Sequence, residues 1–155
     1  EIWFYSANGP ARTFDPYAYY LMQAWHALEI GAKGTNFWAF ADNGRVSCWN
    51  EYPAEGNGPY CPTYIDDTSV TPAKYMEAIR ESIEDYEYFV MLRETVDELE
   101  GRGDRLARAN ELLDSGPSRV ATVDEYEEYR WDVDKDRTVQ DQVRIEVLEA
   151  LAELQ

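Results

Sequence analysis

Lysine is scarce in this sequence. Fourteen basic residues face 31 acidic ones, for a formal net charge of −17, and only Lys33, Lys74 and Lys135 among the bases are lysines. A field this negative repels nucleic-acid phosphates and anionic lipid, so no nucleic-acid partner is expected. Histidine is scarcer still. His26 is the single one and no Cys-x-x-Cys pair occurs, which argues against a His/Cys metal centre. The two cysteines, Cys48 and Cys61, lie in a Gly/Pro/Asn-rich stretch. A disulfide there would close a loop and suit an extracellular or cell-surface protein; two free thiols are the alternative, and geometry must decide. No run of eighteen apolar residues occurs, so no membrane span is expected. No Gly-rich phosphate loop is present, and no cofactor is expected. No basic segment followed by an apolar one opens the chain, and the abrupt start Glu1-Ile2-Trp3-Phe4-Tyr5 reads as the interior of a longer protein.

What the sequence has is aromatic and apolar residues, 14% and 45% of the chain, enough for a packed core. Residues 2–6 (Ile-Trp-Phe-Tyr-Ser) form a short continuous apolar run, which predicts a buried parallel strand. Asp15-Pro16 opens a helix, Tyr17 to Ile30 carries apolar residues at helical spacing, and Gly31 is a natural stop. Residues 35–41 (Thr-Asn-Phe-Trp-Ala-Phe-Ala) predict a second strand, so the first forty residues read as a parallel βαβ unit. Residues 42–71 read as a long loop rich in Gly, Pro and aromatics, and such loops are commonly functional. A helix capped by Ser69 or Thr71 follows, running through Met76, Ile79, Ile83, Tyr86, Phe89 and Leu92 to about Leu99. A further helix over 104–113 should stop near Ser115-Gly116-Pro117, a short one near 125–130 is capped by Thr122, and a last one spans 138–154 with Val139, Val143, Val147, Leu148 and Leu151 on one face. Two strands of parallel type need neighbours on both sides. The missing strands are expected from preceding sequence or another chain.

A family resemblance rests on ordered residues. Trp3-Phe4-Tyr5, Tyr19-Tyr20, Trp25, Gly31, Gly34, Phe37-Trp38, Trp49 and Tyr60-Cys61-Pro62 lead to Arg80-Glu81-Ser82-Ile83-Glu84-Asp85-Tyr86-Glu87-Tyr88. The series resembles the C-terminal end of the catalytic barrel in glycoside hydrolase family 123. Ser82 stands where that family usually has Gly. The likeness covers residues 1–95. It implies an α/β fold, the C-terminal portion of a (β/α)8 TIM-type barrel holding its last two parallel strands and their helices, followed by a helical extension over 96–155. It also implies a parent β-N-acetylgalactosaminidase acting on N-acetylhexosamine glycans, in which an adjacent Asp-Glu pair orients the substrate acetamido group and supplies the general acid. That pair belongs to an earlier strand, so the resemblance assigns this chain no catalytic residue. Glu84-Asp85 falls mid-helix and reads as solvated or capping.

In a barrel the site lies at the C-terminal strand ends. Tyr5, Trp38, Asp42 and Trp49 are therefore the candidate sugar contacts: aromatic faces stack on sugar rings and carboxylates accept hydroxyl donors. Packing is the competing reading for Trp38 and, more strongly, for Trp3. Arg12 reads first as a surface residue, His26 as a helix histidine, and Ser6 has no base nearby in sequence. The expected partners are a glycan and the rest of the barrel. Two rival readings remain, a non-catalytic carbohydrate-binding or structural relative and a helical partner-docking module with Val139, Val143, Val147 and Leu151 exposed.

The Lys-poor acidic composition reads either as adaptation to high salt or as an ordinary acidic domain. The first reading predicts that Tm rises as KCl goes from about 0.1 M to above about 1 M, where the screening length shrinks to roughly 3 Å. A Tm that stays flat or falls in that titration removes the adaptation reading.

Overall fold

The computed structural model describes residues 1–6, 16–40, 49, 62–99, 106–121 and 136–155. The fold is mixed α/β and mostly helical, with two small sheets. Strand β1 (Trp3–Ser6) and strand β2 (Gly34–Phe37) pair in parallel, with Trp3 opposite Gly34 and Ser6 opposite Phe37. Between them run a π-helical turn (Tyr17–Leu21) and helix α1 (Met22–Glu29), so the expected βαβ unit is present. Gly31 ends α1 with φ +66°. Gly31 N–H bonds the Leu28 carbonyl at 3.2 Å and Ala32 N–H the Ala27 carbonyl at 2.8 Å, the paired bonds of a Schellman stop.

Helix α2 (Lys74–Glu98) lies beside α1, and α3 (Ala107–Val120) and α4 (Arg137–Leu154) complete the helical layer. One core runs through all of them. Trp25 of α1 meets Phe89 of α2 edge to face at 5.5 Å, and Leu92, Leu112, Val143, Val147 and Leu151 are buried in the same cluster. Residues of the 96–155 stretch thus share the core of the α/β part rather than sitting at its periphery.

Several expectations are corrected. The second strand ends at Phe37 rather than residue 41. The 42–71 stretch is not all loop: β3 (Thr63–Ile65) and β4 (Val70–Pro72) form an antiparallel hairpin, each too short for its period to register in sequence. Its turn is tied by Asp66, whose carboxylate accepts from the Thr68 and Ser69 backbone and from both hydroxyls. Ser69 is used there and Thr71 lies in β4, so neither caps α2; Ala73 takes the cap position without a side-chain bond. Helix α3 does not stop at Gly116-Pro117 but continues to Val120. Packing overrides the breaker pair, because a Cβ at Gly116 would come within 2.9 Å of Phe89 Cζ and 3.3 Å of Val143 Cγ1; the helix needs a glycine there to approach. The Asp136 carboxylate caps α4 through Thr138 N–H at 2.9 Å. On α4, Leu148 is exposed, not buried, while Val143, Val147 and Leu151 are buried, which removes the reading of that stripe as a docking surface. The segment near 125–130 lies outside the described residues.

The largest correction is Asp85. It is 1% exposed, neither solvated nor capping. Its Oδ2 accepts from Trp25 Nε1 at 2.9 Å and Gln140 Nε2 at 2.6 Å, and its Oδ1 from Arg144 Nε at 2.5 Å. One carboxylate therefore joins α1, α2 and α4. Next to it Ser82 Oγ accepts the Ala24 N–H at 3.0 Å, a second α1–α2 bond that a glycine could not make. Glu81 extends the seam to Arg137 at 2.9 Å and Arg144 at 3.8 Å.

Burial pushes the Asp85 carboxyl above its ordinary value of 3.8, and the bonds from Arg144, Gln140 and Trp25 only partly oppose this. Asp85→Asn should lower stability by about 3 kcal/mol, because the amide puts a donor where a carboxylate oxygen accepted and leaves one of Trp25, Gln140 and Arg144 without its buried bond; Tm should fall by about 6–12 °C. A raised folded-state pKa means that the folded chain takes up the proton more readily than the unfolded one. The stabilising linkage is then fully present below the unfolded value and lost as pH rises through the folded one. Wild type should therefore gain on Asp85→Asn between neutral pH and about pH 4. Melting curves of both proteins across that range check the sign.

Candidate functional site

The two faces of the β1–β2 sheet differ. Phe37 of β2 and Ser6 of β1 face the helices: the Phe37 ring meets Tyr20 at 5.3 Å and Tyr19 at 6.4 Å, and Ser6 Oγ lies 2.6 Å from the Tyr19 hydroxyl. Thr35 joins them, donating to Gln23 Oε1 at 2.6 Å. By the two-residue period of a strand, Trp3, Tyr5, Gly34 and Asn36 face the other way. On that side Trp3 is 59% and Tyr5 60% exposed. Trp3 is thus not packed in a core; its ring lies over Gly34, where a Cβ would come within 2.4 Å of it.

Trp38 follows β2 directly. Its N–H bonds the Ser6 carbonyl at 2.8 Å, and its peptide to Ala39 is cis. The Trp38–Ser6 bond puts Trp38 and Tyr5 at the same, C-terminal end of the two strands. Trp38 is 52% exposed, so helix-layer packing does not account for it. Trp49 stacks on Tyr64 of β3, with ring centroids 4.4 Å apart and planes within 16°. The hairpin carrying Tyr64 feeds α2, whose first turn sets Tyr75 against Tyr20 at 5.4 Å, and Tyr20 packs on Phe37. Asp42, Arg12, Cys48 and Cys61 lie outside the described residues.

Two residues escaped the sequence reading. Asn36 stands opposite Tyr5 in the register and is exposed; the strand period would have grouped it with Trp38. Tyr64, the platform under Trp49, carried no signal because its strand is three residues long.

Exposed aromatic rings and an amide offer stacking faces and hydrogen bonds. Ser6 is paired with a tyrosine hydroxyl rather than a base, and His26 is buried in α1. Among the described residues no group of three His, Cys, Asp or Glu could hold a metal ion, and no helix is long and apolar enough to cross a membrane. Compared with protein-family models, curated proteins and solved structures, the chain matches none.

The Ser6–Tyr19 pair fixes the end of β1 to the π-helical turn, and burial raises the Tyr19 hydroxyl above its ordinary value. Tyr19→Phe should remove this bond at a cost of about 1 kcal/mol, a fall in Tm of about 2–4 °C. A variant that melts like wild type would mean that the pair contributes nothing to the strand end.

Proposed function

We propose that the chain is the C-terminal part of a (β/α)8-barrel glycoside hydrolase acting on N-acetylhexosamine-containing glycans. It contributes part of the sugar-binding mouth and not the catalytic acid pair. The observation that carries this reading is the bare aromatic face at the C-terminal end of a parallel βαβ unit. Tyr5 and Trp38 stand there with Asn36, and the reading assigns the Trp49–Tyr64 stack to the same mouth. A parallel sheet with helices on one face and exposed aromatics on the other is unusual by itself, and a barrel interior supplies what that face lacks. The ordered resemblance of residues 1–95 gives the substrate class. Glycan and barrel partners are both part of this proposal.

The test is binding of an oligosaccharide ending in β-linked N-acetylgalactosamine, measured by titration calorimetry beside melting temperature. Trp49→Ala should weaken binding by about 1–3 kcal/mol, or roughly five- to 150-fold, with little change in Tm. Trp38→Ala should also weaken binding, since its half-exposed ring has no deep core to lose. Unchanged affinity in both variants ends the mouth assignment. Binding without hydrolysis of an aryl N-acetyl-β-galactosaminide by the full-length protein would favour the non-catalytic relative.

A further inference from the structure

The bare face of the β1–β2 sheet holds one amide among aromatic rings. Tyr5 and Asn36 are register partners on adjacent parallel strands, so their side chains leave the same face from backbones about 4.8 Å apart. The Trp38 N–H bonds the Ser6 carbonyl at 2.8 Å. That bond continues the ladder past Phe37 and carries the two-residue period on to Trp38, about 7 Å beyond Asn36 along the strand. Asn36 is thus exposed between two exposed rings. Among the described residues its side-chain amide makes no hydrogen bond. Asparagine is a poor strand former, and packing on the helices falls to its neighbours Thr35 and Phe37. Neither propensity nor packing therefore accounts for Asn36. The face it shares with Trp3, Tyr5 and Gly34 bears no carboxylate, in a chain with 31 acidic residues.

We propose that Asn36 distinguishes an N-acetylhexosamine from the plain hexose, its side-chain amide hydrogen-bonding the sugar's acetamido group while the Tyr5 and Trp38 rings take apolar faces of the sugar. The inference rests on the mouth reading above and names the residue that selects within it. An acetamido group carries a carbonyl acceptor, an N–H donor and a methyl. Asparagine offers the complementary donors and acceptor, and an aromatic ring takes the methyl. A neutral amide is cheaper to desolvate than a carboxylate, and it does not repel the acetamido carbonyl. Inside a closed barrel an amide without a partner is costly; the acetamido group supplies that partner. A hydroxyl in its place leaves part of the amide unpaired, which is how a hydrogen-bonding site rejects an analogue.

Ligand-observed NMR titration of the full-length protein with N-acetylgalactosamine and with galactose tests this, since the two sugars differ only at C2 and neither holds a bond for the enzyme to cleave. Wild type should bind N-acetylgalactosamine the more tightly. Asn36→Ala should weaken that binding about tenfold and change galactose binding by less than about twofold, with Tm unchanged. Asn36→Asp, of the same size but without the N–H donors, should lose as much. Trp38→Ala should weaken both sugars, because a ring face does not read C2. Equal losses of the two sugars on Asn36→Ala, or no loss of either, overturn the proposal and leave the mouth reading standing. A fall in Tm with sugar binding retained overturns it too, making Asn36 a packing residue of the barrel. Failure of wild type to bind either sugar removes the mouth reading itself, and this proposal with it.

Discussion

The Asp85 carboxylate is the constraint on which the helical layer depends. A buried carboxylate is tolerated only when its oxygens are filled by donors, and those donors come from Trp25, Gln140 and Arg144 on two other helices. Each bond has a directional requirement, so α1, α2 and α4 have little freedom to slide. Apolar packing alone would leave such helices more choice of register. The contact between Trp25 and Phe89 sits beside this junction, and α3 is drawn in through Gly116, which lets it approach Phe89 and Val143. The Glu81 pairs with Arg137 and Arg144 prolong the junction toward the surface, where such pairs contribute less.

That anchoring bears directly on the sheet. Two four-residue strands have little stability of their own, and β1 and β2 are held chiefly through Tyr19, Tyr20 and Gln23 of the helical layer. The side chains that serve this purpose, Ser6, Thr35 and Phe37, all point one way. Those pointing the other way are relieved of any part in the core and are correspondingly exposed. The division between packed and exposed side chains thus follows the strand period.

The sequence carried those parts of the fold that depend on local chemistry. The βαβ unit followed from two aromatic runs and Gly31, which occupies the φ > 0 position a Schellman stop requires. The stripe of α4 followed from its helical period. Legibility failed where distant contacts decide. Asp85 lay in a charged run on an evidently amphipathic helix, and its donors are 55 to 60 residues away, so nothing near it signalled burial. Gly116-Pro117 has the local chemistry of a stop, yet the tertiary need for a close approach at Gly116 outweighs it. The hairpin was hidden because three-residue strands express no period. At the site, Tyr5 and Trp38 were legible as residues at strand ends, Asn36 was recoverable from the strand period, and Tyr64 as a platform for Trp49 was not.

Charge follows the same logic of separate surfaces. Five arginines of the helices, Arg80, Arg108, Arg119, Arg137 and Arg144, are each paired with one or more carboxylates. Arginine suits such pairs better than lysine because its planar fork offers several donors at fixed angles; Arg119 uses two of them on Glu146, at 2.6 and 3.0 Å. Four of these five bridge two helices, whereas Arg80 pairs with Glu77 and Glu84 of its own helix. With 14 bases against 31 acids, many carboxylates are left without a basic partner, and mutual repulsion among them opposes the same interhelical seams that the arginines close. Screening weakens both effects, but unequally. The Arg144–Asp85 pair is shielded from solvent by burial and keeps its strength, whereas exposed like charges lose most of their interaction beyond a screening length. Added salt therefore weakens the exposed pairs and the exposed repulsion alike, and leaves the buried bonds at Asp85 the least changed of the interhelical contacts.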